Sequence, residues 1–387
     1  MRKRQDFSVL HMTDFDTEFP GSFIDCLRRL GARMASDNLK LVLVFPSHRD
    51  WQETLTGSNI SVFHLPSPRL RNPLRFIFFL FRVSKLVASE NVRIIHCHFG
   101  KDSKIFAVLL RAFFNRKLRI VWHWHNLPAT KVHRRGNIVK RLFRDTFYGL
   151  AGHWVDRHVA ISTELYSWLA HISKKVSLVP NGISLERFRK DSVELPALEE
   201  IRQQVGVTER SFVVCSVANF RPQKDHATLL KAAREVIQCR KDSTFLLVGD
   251  GPTREGIERL ARTLGIQQQV IFPGVRRDVE KIVSISDVFV LSTHHEGFPY
   301  VLLEAMALEK PVVATDVWGC NDIVKEGVGF LVPPRDCQQL AERIIWLYDN
   351  RERATEMGRL GRRRIEQNYD LDTWTARIER LYLDLCE

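Results

Sequence analysis

The chain has 387 residues, 44% of them hydrophobic and 10% aromatic, with 58 Lys+Arg against 45 Asp+Glu. So much apolar content excludes a disordered chain, and the length exceeds one ordinary core and suits two domains. Seven scattered cysteines, an odd number with no Cys-x-x-Cys pair, exclude a disulfide scaffold and read as free thiols in a reducing cytosol.

The charge is uneven. Residues 1–180 hold 29 Lys+Arg and 13 Asp+Glu, a surplus of +16, and the remainder holds 29 and 32, or −3. A basic half suits an anionic partner: a membrane surface, a phosphorylated acceptor or nucleic acid. The bland alternative is a solvated surface. "MRKRQDFSVLHM" lacks the sustained apolar stretch of a secretory signal. The densest apolar run, "FIFFLF" at 76–81, is far short of the ~20 residues that span a bilayer, so no membrane crossing is expected.

In chain order, "FSVLHM" and "LKLVLVF" read as buried strands with a helix from about Phe23 to Met34 between them. "VRIIHCHF", "LRIVWHWH" and "DRHVAIS" continue the series. Strand-like runs dense in Val and Ile, separated by helices, predict a parallel sheet covered on both faces. The second half repeats the pattern: "SFVVCSVA", a helix over His226 to Cys239, "STFLLVG", a helix ending before Gly265, then "QVIFPG", "DVFVLS", "PVVATD" and "GFLVPP". Two doubly wound α/β domains follow. The turn Pro180-Asn181-Gly182 places the boundary, giving domains over 1–180 and 181–370, and "WTARIERLYLDLC" reads as a closing helix within about 371–387.

Open α/β sheets bind ligands beyond the carboxyl ends of their strands, so the loops there are the candidates. Glu296 follows a strand. Gly297 and Phe298 come next, and Pro299 reads as the first residue of a helix that carries Glu304. A carboxylate accepts paired hydrogen bonds from vicinal hydroxyls. One acid for a sugar and one for a ribose, with a diphosphate over the helix start, would use both. Two lone glutamates would otherwise be a loop acid and an ordinary helix acid. Lys224 and Arg221 lie on a loop before another helix, which Asp225 is placed to cap; cations there suit a diphosphate. The turn "VGDGP" with Gly251 does not complete a dinucleotide fingerprint. In "FPGVRRDV", backbone groups around Val275 and Arg276 could read a base edge. Gly21 at a strand-to-helix turn lets a ligand approach the backbone. His125 ends a strand, placed to donate to a phosphate or hydroxyl or simply to be packed. His96/His98 and His123/His125 each share a strand face, but no further ligand is evident and no metal is expected.

Together these loops resemble the retaining glycosyltransferases of the GT-B fold that carry an E-x7-E motif. Glu296-x7-Glu304 matches, as do "PQKD" at 222–225, "LLVGDGP" at 246–252 and "VPNGISLERF" at 179–188, so the resemblance covers essentially the whole chain. It implies two Rossmann-like domains facing a cleft, the first for the acceptor and the second for a nucleotide-diphosphate sugar, with a UDP-sugar favoured. Glu296, with the backbone of Gly297, Phe298 and Pro299, would hold the sugar; Glu304 the ribose; Lys224 and Arg221 the leaving diphosphate. Gly251, Val275 and Arg276 would complete the donor site, Gly21 would lie near the phosphates, and His125 near the reacting centre. Two departures stand out: Asn219 replaces the usual arginine, and Ser22 replaces a second glycine. Same-face transfer without cofactor or metal is implied.

The acceptor reading rests on two basic amphipathic stretches, 69–87 and 131–150, which suit an anionic membrane. A lipid-linked glycan in surface-polysaccharide assembly is the expected acceptor. The expected location is cytoplasmic, peripheral on the cytoplasmic face of the cell membrane. Rival readings are a GT-B-fold sugar-nucleotide epimerase or phosphorylase and a non-catalytic basic binding protein. No signature of nucleic-acid binding supports the last.

Overall fold

The computed structural model describes residues 6–15, 20–57, 59–66, 73–126, 149–192 and 194–387. The chain divides into two compact units, Met1–Gly182 with Leu371–Glu387, and Ile183–Asp370.

In the first unit, β1 (Phe7–Met12), β2 (Leu39–Phe45), β3 (Ile60–His64), β4 (Val92–Cys97), β5 (Arg119–Trp124), β6 (Arg157–Ala160) and β7 (Val176–Leu178) form one parallel sheet. Their order is β3-β2-β1-β4-β5-β6-β7. All six residues of β1 are buried, as a strand covered on both faces requires. The order reverses between β1 and β4. The helix Ser22–Met34 starts after Gly21, whose φ of −106° is an ordinary extended value, so Gly21 is not there for a left-handed turn. The closing helix Leu371–Cys386 is held to it by Arg29–Asp372 and Arg33–Glu379 ion pairs.

The core of this unit holds an unusual polar feature. β1, β4 and β5 lie side by side, and His11, His96 and His123 occur on them, with His98 and His125 just beyond the ends of β4 and β5. All five imidazoles are buried. Tyr382 of the closing helix reaches them, its hydroxyl 2.7 Å from His11 Nε2 and 2.5 Å from His96 Nδ1. The i, i+2 spacing had suggested paired imidazoles with no further partner; the sheet supplies His11 and the closing helix supplies Tyr382.

In the second unit, β8 (Phe212–Val217), β9 (Ser243–Val248), β10 (Val270–Gly274), β11 (Val288–Leu291), β12 (Val312–Thr315) and β13 (Gly329–Val332) pair in parallel in the order β10-β9-β8-β11-β12-β13. The reversal falls between β8 and β11. Asp225, in the left-handed region at φ 43°, caps the helix His226–Cys239: its Oδ1 accepts from Thr228 N at 3.3 Å and its Oδ2 from the Thr228 hydroxyl at 2.7 Å. The helix Tyr300–Ala307 has Pro299 as its N-cap, in extended conformation. Pro299 therefore sits one position before the first helical residue rather than in it. Its fixed φ suits an extended cap as well as a helical start.

This helix is backed by Arg351–Asn368. A Cβ on Gly358 would stand 2.0 Å from the Glu309 carbonyl oxygen, whereas one on Gly361 would meet only Met306 side-chain atoms at 3.5 Å or more. Gly358→Ala should therefore lower stability by about 1–3 kcal/mol through backbone displacement. Gly361→Ala should be neutral or stabilising by up to about 1 kcal/mol, through helix propensity. Urea midpoints of the two variants test this, and equal effects would contradict it.

A second prediction concerns pH. Burial holds His11 and His125 down at about 3 and His158 and His226 down at about 4, and it pushes His96, His98 and His123 well below the ordinary 6.5. Below pH 6.5 the unfolded chain binds protons that the folded chain does not. The stability this gives is complete above the unfolded value and is lost as pH falls toward the folded values. The melting temperature should drop steeply from about pH 6.5 to about pH 4, with uptake of several protons on unfolding. A flat profile across that window would refute it.

Candidate active site

In the second unit the site is built at the carboxyl ends of β8 and β11, where the strand order reverses. The loop after β8 carries Lys224 and the loop after β11 carries Glu296. Lys224 Nζ donates to Glu296 Oε1 at 2.5 Å, and the two side chains are only 19% and 9% exposed. The Thr293 hydroxyl lies 3.1 Å from the same carboxylate oxygen. Neutral bonds stitch the loops together as well: Gln223 Nε2 donates to the His295 carbonyl at 2.6 Å, and His294 N to the Gln223 carbonyl at 2.8 Å. Thr293 N in turn donates to Thr315 Oγ1 on β12 at 3.0 Å, and that hydroxyl donates back to the Thr293 carbonyl at 2.8 Å.

Glu296, Gly297, Phe298 and Pro299 run directly into the helix Tyr300–Ala307. Its first amides lack intrahelical acceptors, and its dipole favours an anion at that end. Phe298 is buried edge-on against Tyr369, 5.4 Å between centroids. Gly319, at φ 79°, passes so close that a Cβ would be 2.4 Å from the Gly297 carbonyl oxygen. Glu304 is buried inside this helix.

The glycines of the "VGDGP" turn have a packing reason. Gly249 and Gly251 take φ of 130° and 153°, and a Cβ on either would strike the Ala218 or Phe220 carbonyl oxygen, at 2.1 and 2.5 Å. Phe220 N donates to the Asp250 carbonyl at 2.9 Å, and Thr253 N to the Phe220 carbonyl at 3.1 Å. The turn thus supports the loop that carries Lys224. Arg221 is exposed. Val275 is exposed, while Arg276 is taken up by Asp278, with bonds of 2.9 and 2.7 Å. Thr293 and Thr315 are not singled out by the sequence, where small polar residues at strand ends are their only signal; Gln223 lies within "PQKD", but its role in tying the loops together is not legible there.

In the first unit, Gly21 opens the helix Ser22–Met34, and a Cβ there would meet nothing within 4 Å, so the space beside it is open. His125 is buried, stacked on Phe99 at 4.1 Å, and bonded through Nε2 to His98 Nδ1 at 3.1 Å. The buried Lys104 places its ammonium 3.9 Å from the Trp124 ring centre, a cation–π contact. Of the two basic amphipathic stretches, 69–72 and 131–148 lie outside the described residues. Among the described residues no helix is long and apolar enough to cross a membrane.

A family model described as "Glycosyl transferases group 1" matches residues 198–364, and one described as "Glycosyltransferase Family 4" matches residues 26–187. The chain is 26% identical over 310 residues to the N-acetyl-alpha-D-glucosaminyl L-malate synthase of Bacillus anthracis, covering 79% of this chain and 78% of that protein. It is 26% identical over 330 residues to the UDP-Gal:alpha-D-GlcNAc-diphosphoundecaprenol alpha-1,3-galactosyltransferase of Escherichia coli, 79% of each. Among solved structures, Anabaena Alr3699/HepE in complex with UDP and glucose superposes with a TM-score of 0.81 at 19% identity, over 98% of this chain and 99% of that one. The fold is GT-B. With the two family models covering both units in tandem, the chain belongs to the glycosyltransferases of the group 1 and family 4 type.

Proposed function

We propose that this glycosyltransferase moves a sugar from a nucleotide-diphosphate donor, with UDP as the favoured nucleotide, to the hydroxyl of a lipid-linked glycan, retaining the anomeric configuration. The Lys224–Glu296 pair beside the start of the helix Tyr300–Ala307 carries the reading. It puts a cation, a carboxylate and the positive end of a helix dipole in one place, which is what a phosphorylated sugar needs. The Escherichia coli relative, whose name specifies a UDP-sugar donor and a diphosphoundecaprenol acceptor, supports the substrate class.

In this reading Glu296 accepts from sugar hydroxyls, Gly297, Phe298 and Pro299 line the sugar, and Glu304 holds the ribose. Gly251, Val275 and Arg276 flank the nucleotide, and the family resemblance assigns Gly21 to the phosphates and His125 to the donor sugar. Lys224, helped by Arg221 in place of the arginine missing at Asn219, stabilises the diphosphate. As the bond from the anomeric carbon to the diphosphate oxygen breaks, the electron pair leaves with the diphosphate. The acceptor oxygen attacks the same face, and its proton passes to the departing phosphate. Positive charge placed beforehand where negative charge develops supplies the main stabilisation, so no divalent metal is required.

The acceptor side is supported by the helix Pro73–Ser89. Its apolar residues do not all point inward: Leu74, Ile77, Phe78 and Phe81 are 80%, 62%, 63% and 50% exposed. Their spacing of i, i+3, i+4, i+7 makes one stripe. Arg75 and Arg82 are exposed as well, and Lys85 lies 4.7 Å over the Phe81 ring. An apolar stripe edged by cations suits the boundary of an anionic bilayer.

Lys224→Ala and Glu296→Gln should each reduce turnover by about 100-fold or more, with the fold kept by the neutral loop bonds. Wild-type turnover in EDTA should be unchanged, and NMR of the product should show the anomeric configuration of the donor. Full activity of the variants would remove the pair from the site. Loss of activity in EDTA would remove metal independence, and conversion of the nucleotide sugar without acceptor would favour the epimerase reading. Separately, Ile77→Glu with Phe78→Glu should abolish sedimentation with phosphatidylglycerol vesicles while leaving donor binding intact. Undiminished sedimentation would assign the basic half another partner.

A further inference from the structure

The buried imidazoles form one continuous hydrogen-bonded chain. His125 Nε2 meets His98 Nδ1 at 3.1 Å, and His98 Nε2 meets His11 Nδ1 at 3.0 Å. His11 Nε2 meets the Tyr382 hydroxyl, which meets His96 Nδ1. His96 Nε2 meets His123 Nδ1 at 3.2 Å. His123 Nε2, at the far end, is buried with no hydrogen-bond partner among the described residues.

The protons in this chain can be counted. Burial keeps all five histidines neutral and Tyr382 protonated. Six neutral groups then hold six exchangeable protons, and the five contacts just described use five of them. The sixth sits at one end, on His123 Nε2 or on His125 Nδ1. A buried N–H without an acceptor is the rarer and costlier orphan, compared with an open lone pair. His123 Nε2 is such a buried atom without a partner and His125 Nδ1 is not, so the proton belongs on His125. Every link then points one way. His123 donates to His96, His96 to the Tyr382 oxygen, Tyr382 to His11, His11 to His98, and His98 to His125 Nε2.

We infer that this chain fixes His125 as the Nδ1–H tautomer, making it an N–H donor toward a substrate oxygen and not a proton acceptor, with His98, His11 and Tyr382 as its positioning residues. The tautomer of a histidine is set by the bond its other nitrogen makes, and here that bond is the end of a relay anchored on the closing helix. His125 can become a base through Nδ1 only if the whole relay reverses and leaves an unpaired N–H on His123. The contact with substrate rests on the glycosyl-transfer reading above; the tautomer does not.

Nitrogen-15 NMR of the full chain with labelled histidine tests this, with His125 identified by its loss in His125→Asn. The expected spectrum has a pyrrole-type Nδ1 and a pyridine-type Nε2 for His125, unchanged from about pH 8 to about pH 6. A protonated Nε2, an imidazolium in that range, or stoichiometric zinc in the purified protein would overturn it. His98→Gln keeps the relay, since its amide can donate to His125 while its carbonyl accepts from His11, and should keep both tautomer and kcat. His98→Leu leaves Nε2 unpinned, and should give mixed tautomers and about tenfold or more lower kcat at little-changed KM for the donor. An unchanged tautomer and kcat in His98→Leu would also overturn the inference. If that variant does not fold, the wild-type spectrum decides alone. Absence of sugar transfer by the wild type would sink the functional reading and leave the tautomer result standing.

Discussion

Lys224 and Glu296 are 72 residues apart in sequence and 2.5 Å apart in space. What joins them is the neighbouring position of β8 and β11, the one place in the second sheet where consecutive crossovers run in opposite directions. Such a reversal is where open α/β sheets bind their ligands. A nearly buried ion pair contributes little net stability, because desolvation of the two charges offsets their attraction. Two well-packed apolar residues would serve the fold as well or better. The loops do not depend on it either, since Gln223, Thr293 and Thr315 hold them through neutral bonds. On the proposed reading, the pair is two ligand-binding groups that satisfy each other until a ligand with an anion and hydroxyls takes both.

The surroundings follow from holding those two side chains still. Gly249 and Gly251 let the β9 turn support the backbone of Ala218 and Phe220, which lead to Lys224. Gly319 lets the β12 turn support the backbone of Gly297, beside Glu296. Gly358 lets a long helix approach the end of the helix that begins at Tyr300. Each glycine occurs where a neighbouring carbonyl comes too close for a side chain; three of the approaches fall on the two loops, and that of Gly358 falls behind the helix that follows Glu296. Rigidity around the reacting groups is what a site that stabilises developing charge requires, because donors that must reorient lose much of their effect.

Much of this was legible in the sequence because it is carried by local signals. Val- and Ile-rich runs alternating with helices specify parallel sheets, and an acid, a Gly-Phe-Pro break and an apolar helix with a second acid are all visible in residues 296–304. Strand adjacency is not local. His11 lies in "FSVLHM", a run that reads as an ordinary buried strand interrupted by Ser8 and His11. Only the sheet order, with β1 beside β4, brings it against His96 and His98. Tyr382 likewise reads as one more member of an apolar helix face, although a buried tyrosine usually implies a partner for its hydroxyl. The position of Arg276 after β10 places it with the donor ligands; that it also pairs with Asp278 two residues on is a local contact that spacing does not decide. The stripe on Pro73–Ser89 is the converse case. Its periodicity is evident, but whether Leu74, Ile77, Phe78 and Phe81 face the core or the outside depends on which side Phe106 occupies. That ring takes Phe76 and Phe79 instead.

The two polar constructions, one in each unit, are built on opposite principles. In the second unit, two opposite charges, only 19% and 9% exposed, pair with each other, which suits groups that must exchange partners when a charged substrate arrives. In the first unit, burial keeps five imidazoles and a phenol neutral, and they are linked by hydrogen bonds to one another. A chain of that kind cannot respond to a ligand one residue at a time, since reversing any bond reverses them all. It serves as a rigid means of orienting the single imidazole at its end, His125. The C-terminal helix, which the chain returns to the first unit to place, is part of that means: its Tyr382 hydroxyl is the link between the imidazoles of His11 and His96, and without it the chain would be two fragments with no common direction.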